Sequence, residues 1–326
     1  GRRVSVRAAL FSSGFGYWSV FGVFVAILAV VAATPYIALQ LQSVTLSFAV
    51  FAEAGGQPWG ADKLNGGAIA VAIGLAIFTV FFGTRNLDAN ERHHGIVMAI
   101  AVALLAVGAF VVWGIAGGPS QILAQIDASP ISQWEQDGAR WVGLIFVSGA
   151  AFICLPRMFQ VLVVENVDER HLNIAGWAFP TYLMLMSLFV VPIAVVGLAI
   201  LPEGANPDLF VLTVPLSQGR DGLAMFSFLG GFSSATSMVI VSTIALATMV
   251  SNHIVVPIWL RVQAGAGAKM SGDVRSVILL ARRLSIGGIL ALGYLYFRVS
   301  GGGTALAAIG LVSFSGAVQV LPVLIG

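Results

Sequence analysis

The stretch GGFSSATSMVIVST, residues 230–243, sets six hydroxyl side chains into an apolar run from Leu223 to Trp259: Ser233, Ser234, Thr236, Ser237, Ser242 and Thr243. A helix facing water would carry charges at such positions, and a plain apolar core would carry Leu and Val. What the hydroxyls do depends on the solvent around them. Of 326 residues, 58% are hydrophobic and 9% charged, far below the roughly 25% charged residues of soluble domains. The apolar residues fall in blocks long enough for the crossing of a bilayer, about 20 residues each. The sequence reads as an all-α integral membrane protein.

Eight apolar segments follow one another, at about 18–50, 64–83, 95–116, 139–165, 174–201, 223–259, 276–298 and 303–325. Lipid offers no partner to an open sheet edge, so helix is the expected state, and the alternating ten-residue pattern of a barrel is absent. The excess of Lys and Arg on cytoplasmic loops sets the orientation. With the N-terminus inside, Arg2, Arg3, Arg7, Arg85, Arg92, Arg157, Arg170, Arg261, Lys269, Arg275, Arg282 and Arg283 lie in the cytoplasm. Lys63, Arg140, Arg220 and Arg298 lie outside, and the C-terminal end returns to the cytoplasm. The net charge of +2 is dispersed in short clusters between apolar blocks and offers no nucleic-acid surface. GTRNLDANERHHG, residues 83–95, reads as a solvated cytoplasmic loop, and its adjacent His93 and His94 point apart. Cys154 is the single cysteine, and no zinc spacing, nucleophile triad or phosphate loop is present. The basic start GRRVSVR leads directly into a full-length span, so a cleavable signal peptide is not expected in this stretch.

Two segments are longer than a simple crossing. The first runs past Pro35, and the sixth covers far more than about 20 residues, so both must tilt, kink or project. The fourth, RWVGLIFVSGAAFICLPRMFQVLVVE over residues 140–165, has Gly149 near its middle and Pro156 in its inner third. An interruption there suits either a proline-kinked packing helix or the broken helix at a transporter's binding site. The chain begins without Met and stops inside an apolar run, so a longer polypeptide is expected.

The polar groups inside the spans admit two readings. Ser233 and Ser237 share a helix face, as do Thr236 and Thr243. Such hydroxyls bond back to carbonyls or across helix contacts, or else join carbonyls around a hard cation such as Na⁺. Gln40 and Gln42 in the first span, Ser148 in the fourth and Gln319 in the eighth face protein or a wet cavity, because an unbonded amide or hydroxyl in lipid is costly. Phe152 is either core or a lid over a ligand. No acid or lysine lies at the middle of a span.

PYIALQLQSV (35–44) and GFSSATSMVIVSTIALATMVSNHIVVP (231–257) resemble the sodium/solute symporter family, which has the LeuT-type fold. FFGTRNLDANERHHG (81–95), FICLPRMFQVLVVENVDERHLNIAGWAFP (152–180) and FVLTVPLSQG (210–219) are similar to the subset fused to sensor histidine kinases, the CbrA-like proteins. The resemblance covers nearly the whole chain. It implies two inverted five-helix repeats, with this chain's spans as core helices three to ten and the fourth span as broken core helix six. The family's sodium site pairs two adjacent hydroxyls on core helix eight. Ser237 matches the first, with Ser234 and Thr236 as neighbouring candidates. Met238 stands where the second is expected, and a thioether suits a hard cation poorly. The family's substrate position implies Gln40, Ser148, Phe152 and Gln319.

The resemblance therefore implies a multi-pass domain of the bacterial inner membrane that binds a small organic solute and moves it by alternating access. An amino acid is expected, with histidine the first candidate, and coupling to Na⁺ or H⁺. No other cofactor is expected. The expected partners are the bilayer, the solute and a cytoplasmic kinase domain in the same polypeptide, for which this domain serves as input. A receptor that binds without transport and a stand-alone permease are the alternatives.

Overall fold

The computed structural model describes residues 18–56, 60–83, 94–129, 131, 138–161, 166, 168, 170–265, 274–300 and 306–322. Helices α1 (Trp18–Ala54), α2 (Ala61–Gly83) and α3 (His94–Ala109) come first, and a π turn, Phe110–Ile115, ends α3. Then follow α4 (Pro119–Ala128), α5 (Gly138–Cys154), the single turn α6 (Pro156–Phe159), α7 (Arg170–Ser187), α8 (Val190–Ile200) and α9 (Phe210–Ser217). Last come α10 (Asp221–Val250), continued through a second π turn into α11 (Val256–Gly265), then α12 (Val274–Val299) and α13 (Leu306–Val318). No strand occurs among the described residues.

Among the described residues, five helical stretches are long and apolar enough to cross a membrane: Gly22–Ala54, Asp62–Phe81, Arg170–Ile200, Asp221–Trp259 and Val277–Val299. A sixth arises if α3 and α4, bent by 88° at Gly117–Gly118, count as one. The two remaining expected spans are shorter apolar helices, Gly138–Cys154 and Leu306–Val318. Eight apolar segments thus become eight helical regions, of which five to six meet the length of a crossing. Between the third and fourth apolar segments the chain forms helix α4, which carries Asp127. The segment expected to be a cytoplasmic loop, with Arg85, Asp88, Glu91 and His93, lies outside the described residues.

The surface is the inverse of a water-soluble one. Ile69, Ile73, Ile77 and Phe81 recur every four residues on α2 and are all exposed, a continuous apolar stripe on one helix face. On α7, Trp177 is 83% exposed. These are the faces that a bilayer covers, and the molecule has the build of a multi-pass α-helical membrane protein.

Helices α1 and α10 cross at the centre. Ile37 and Leu41 of α1, Val239 and Leu246 of α10, Leu75 of α2, and Ile286 and Leu290 of α12 form the main buried cluster. Helix α1 packs on α2, α12 and α13, while α10 packs on α12, α2 and α3. Exchanging α1 with α10, α2 with α12 and α3 with α13 carries one set of contacts onto the other. The packing is mirrored within one chain.

The direction of α1 against α10 follows from side-chain neighbours. A Cβ on Gly22 would lie 2.7 Å from His253 Nδ1, Phe48 meets Phe228 and Phe232, and Phe51 meets Phe228. Numbers rise on α1 as they fall on α10, so the two helices are antiparallel.

Candidate functional site

The fourth segment breaks, but not where the glycine suggested. Helix α5 runs without interruption past Gly149 to Cys154. The break is at Leu155, extended at φ −71° and ψ 125°, with Pro156 opening the next turn. A proline disfavours the helical conformation of the residue before it and has no N–H to return to the carbonyl of Phe152. Glycine merely permits a bend, whereas the Leu-Pro pair enforces one. The broken backbone packs near the middle of α1 and at the C-terminal end of α13: Ala32 of α1 and Ala317 of α13 share a buried cluster with Ala151 and Leu155.

Arg157, two residues past the break and assigned to the cytoplasmic side by the charge pattern, lies against two long helices. Its guanidinium carbon lies 3.8 Å from the centroid of the Tyr36 ring, and Nη1 donates to Met238 Sδ at 3.9 Å. Tyr36 is the middle residue of 37-residue α1, and Met238 lies near the middle of Asp221–Trp259. A half-buried positive charge therefore stands between the middles of the two longest helices, beside Met238, which is itself 39% exposed. Its Nε is buried with no hydrogen-bond partner among the described residues. Ionisable groups on membrane-spanning helices are costly and face a bundle interior or a wet cavity.

Two polar stripes lead away from this charge. On α1, Tyr36, Gln40, Ser43 and Ser47 recur at intervals of four, three and four, which keeps them on one helix face. On α10, Met238, Ser234, Gly231 and Ser227 recur at the same intervals in the opposite direction. The antiparallel helices bring Ser43 and Ser47 of α1 and Ser227 and Gly231 of α10 around one cavity, while Arg157 touches both Tyr36 and Met238; Gln40 and Ser234 lie between these two points on their helices. Beyond Gln40 and Ser234 the seam opens into a cavity of about 260 Å³ between α1, α3 and α10, lined by Ser43, Ser47, Ser227, Gly231 and, near the Pro207–Leu209 turn, Asp208. Ser47 donates to Ser43 O at 2.8 Å. Ser227 is buried, and its Oγ has no partner among the described residues. A buried hydroxyl left unpaired is costly, so this one suits a water or a solute.

The expected site residues separate into two groups. Gln40 and Ser234 are both half-buried, on the stripes between Arg157 and the cavity. Ser237 is buried at 8% exposure, and Thr236 turns its hydroxyl to Phe232 O on its own helix at 2.8 Å. Thr243 likewise returns to Val239 O, which is the packing use of a hydroxyl in lipid. The three expected cation ligands thus do not share one direction. Ser148 lies exposed on α5. Phe152 is half-buried, its ring 5.6 Å from Phe179 of α7. Gln319 lies exposed in the turn after α13, with Nε2 donating to Ser315 O at 3.3 Å.

Arg157, Tyr36 and Ser227 escaped the sequence reading. The signal for Arg157 was its place one residue after Pro156 in an apolar run, a place the charge count treated as a loop. Among the described residues no three of His, Cys, Asp and Glu come together as a metal group.

Compared with protein-family models, curated proteins and solved structures, the chain matches none.

Proposed function

We propose that this chain is part of a sodium/solute-symporter-like domain of LeuT type, with eight spans as core helices three to ten. It binds a small organic solute at mid-membrane and moves it by alternating access. The carrying observation is the convergence, near the middle of α1, of a proline-broken helix with a polar seam between two long antiparallel helices. Irregular backbone at that depth is tolerated where it is buried in protein or lines a wet cavity, and broken helices at the midplane are where transporters hold their cargo. The mirrored packing of α1–α3 and α10, α12 and α13 supports an inverted repeat. The antiparallel course of α1 and α10, the first helix of each set, supports the same reading.

The solute is an amino acid, with histidine the first to test. The site lies in the bacterial inner membrane with both ends of the segment cytoplasmic, and the domain serves as the input of a sensor histidine kinase in the same polypeptide. Coupling to H⁺ is favoured over Na⁺, because the Ser237 region lacks its second hydroxyl and borders a fixed guanidinium.

That fixed charge also favours a second reading, a receptor that binds solute without an ion cycle. Radiolabelled amino-acid uptake into proteoliposomes, run beside equilibrium binding, separates the two. Concentrative uptake selects the carrier, binding alone selects the receptor, and neither with any amino acid removes both.

A further inference from the structure

We propose that Arg157 is the receptor for a carboxylate on the solute, and that the solute reaches it along the α1–α10 seam, past Gln40 and Ser234, from the cavity at Ser43, Ser47 and Ser227. The inference rests on the mid-membrane solute site proposed above and names the chemistry that site accepts.

Arg157 is held but not neutralised. Tyr36 supports one face of the guanidinium at 3.8 Å, which fixes its plane by cation–π attraction. The Met238 thioether at 3.9 Å is a weak acceptor that leaves the charge intact. Among the described residues no acid is paired with it, and its buried Nε donor is unused. A half-buried guanidinium with a buried, unused donor and no anion is an incomplete arrangement. Its planar fork of donors matches a carboxylate in bidentate geometry, which an ammonium does not. A solute lacking the carboxylate would leave those donors unpaired, and such a site rejects it strongly. One turn along, Gln40 and Ser234 offer an amide and a hydroxyl for the remainder of the solute. Their side chains are half-buried.

The test places a thiol beside the guanidinium by Met238→Cys in a Cys154→Ser background of the full chain, reconstituted in nanodiscs. Labelling rates are compared for an anionic and a cationic methanethiosulfonate reagent. The anionic reagent is expected to react about tenfold faster, as a single nearby positive charge predicts, with the preference lost in Arg157→Gln and kept in Arg157→Lys. A mixture of L-amino acids is expected to slow labelling at least about fivefold while the matching amino-acid amides leave it unchanged, since only the acids pair with the fork. Equal rates for the two reagents, or acids and amides acting alike, overturn the assignment of Arg157. Labelling by neither reagent means that the seam is dry, and it overturns the mid-membrane site itself. The reagent ratio is read with Arg157 in place, so a poorly folding Arg157→Gln does not remove the test.

Discussion

Ser313 Oγ donates a 2.7 Å hydrogen bond to the carbonyl oxygen of Ala32, joining two helices 281 residues apart in sequence. Ala32 stands three residues before Pro35, where the helix lacks one N–H. A Cβ added to Gly316 would lie 3.1 Å from Ala32 Cβ, so small residues let α13 approach closely enough for the bond. The contact clamps the midpoint of α1 beside the break at Leu155. Ser313→Ala is expected to destabilise by about 0.6–2 kcal/mol, the range of interhelical bonds in lipid. Denaturation in mixed micelles measures it.

Gly293 allows a second close approach. A Cβ there would lie 2.7 Å from Ile37 Cγ2, inside the main core, where neither partner has room to move. Gly293→Val is expected to cost about 1–3 kcal/mol or more through overpacking. Gly287→Ala, on the same helix with nothing within 4 Å of the added carbon, is expected to be neutral or to gain up to about 1 kcal/mol from helix propensity. The same micelle denaturation compares the pair.

The apolar stripe on α2 tests the solvent. Ile73 is 54% exposed near the middle of that helix. In water a charge there would be tolerated within about 0.5 kcal/mol. In a bilayer Ile73→Lys is expected to oppose insertion by about 2.5–3.5 kcal/mol. Translocon-dependent insertion of the α2 segment, read by glycosylation at its flanks, gives the answer; unchanged insertion would place α2 outside the membrane core.

Pro156→Ala restores a backbone donor opposite Phe152 O and frees Leu155 from its pre-proline restriction. The expected result is a continuous helix from α5 into α6, seen as about tenfold slower hydrogen exchange at residues 155–159, together with loss of solute binding as Arg157 rotates away from Tyr36. Retained binding beside slowed exchange would show that the break is dispensable.

Tyr36→Phe keeps the aromatic face under Arg157, and Tyr36→Leu removes it. The second change alone is expected to lower stability or solute affinity by about 0.5–2 kcal/mol, the cation–π contribution from exposed to desolvated sites. Equal effects from both would assign the role to the phenol hydroxyl instead.

Hydropathy in sequence already determined the solvent, the helical state and the positions of the apolar blocks, because lipid leaves the backbone only its own hydrogen bonds. Spacing alone likewise put Ser233 and Ser237 on one face. Proline chemistry located the interruption of the fourth segment to within a turn or so, although Gly149 competed for it. Tertiary structure decided the rest. Helical periodicity specifies a face but not which face of a distant helix it meets, nor at what height. The cavity shared by Ser43, Ser47 and Ser227 therefore exists only once α1 and α10 pack antiparallel. The neighbours of Arg157 were equally hidden, since a charge count places an arginine by its neighbours in sequence, whereas the turn after Leu155 carries its side chain to Tyr36 and Met238.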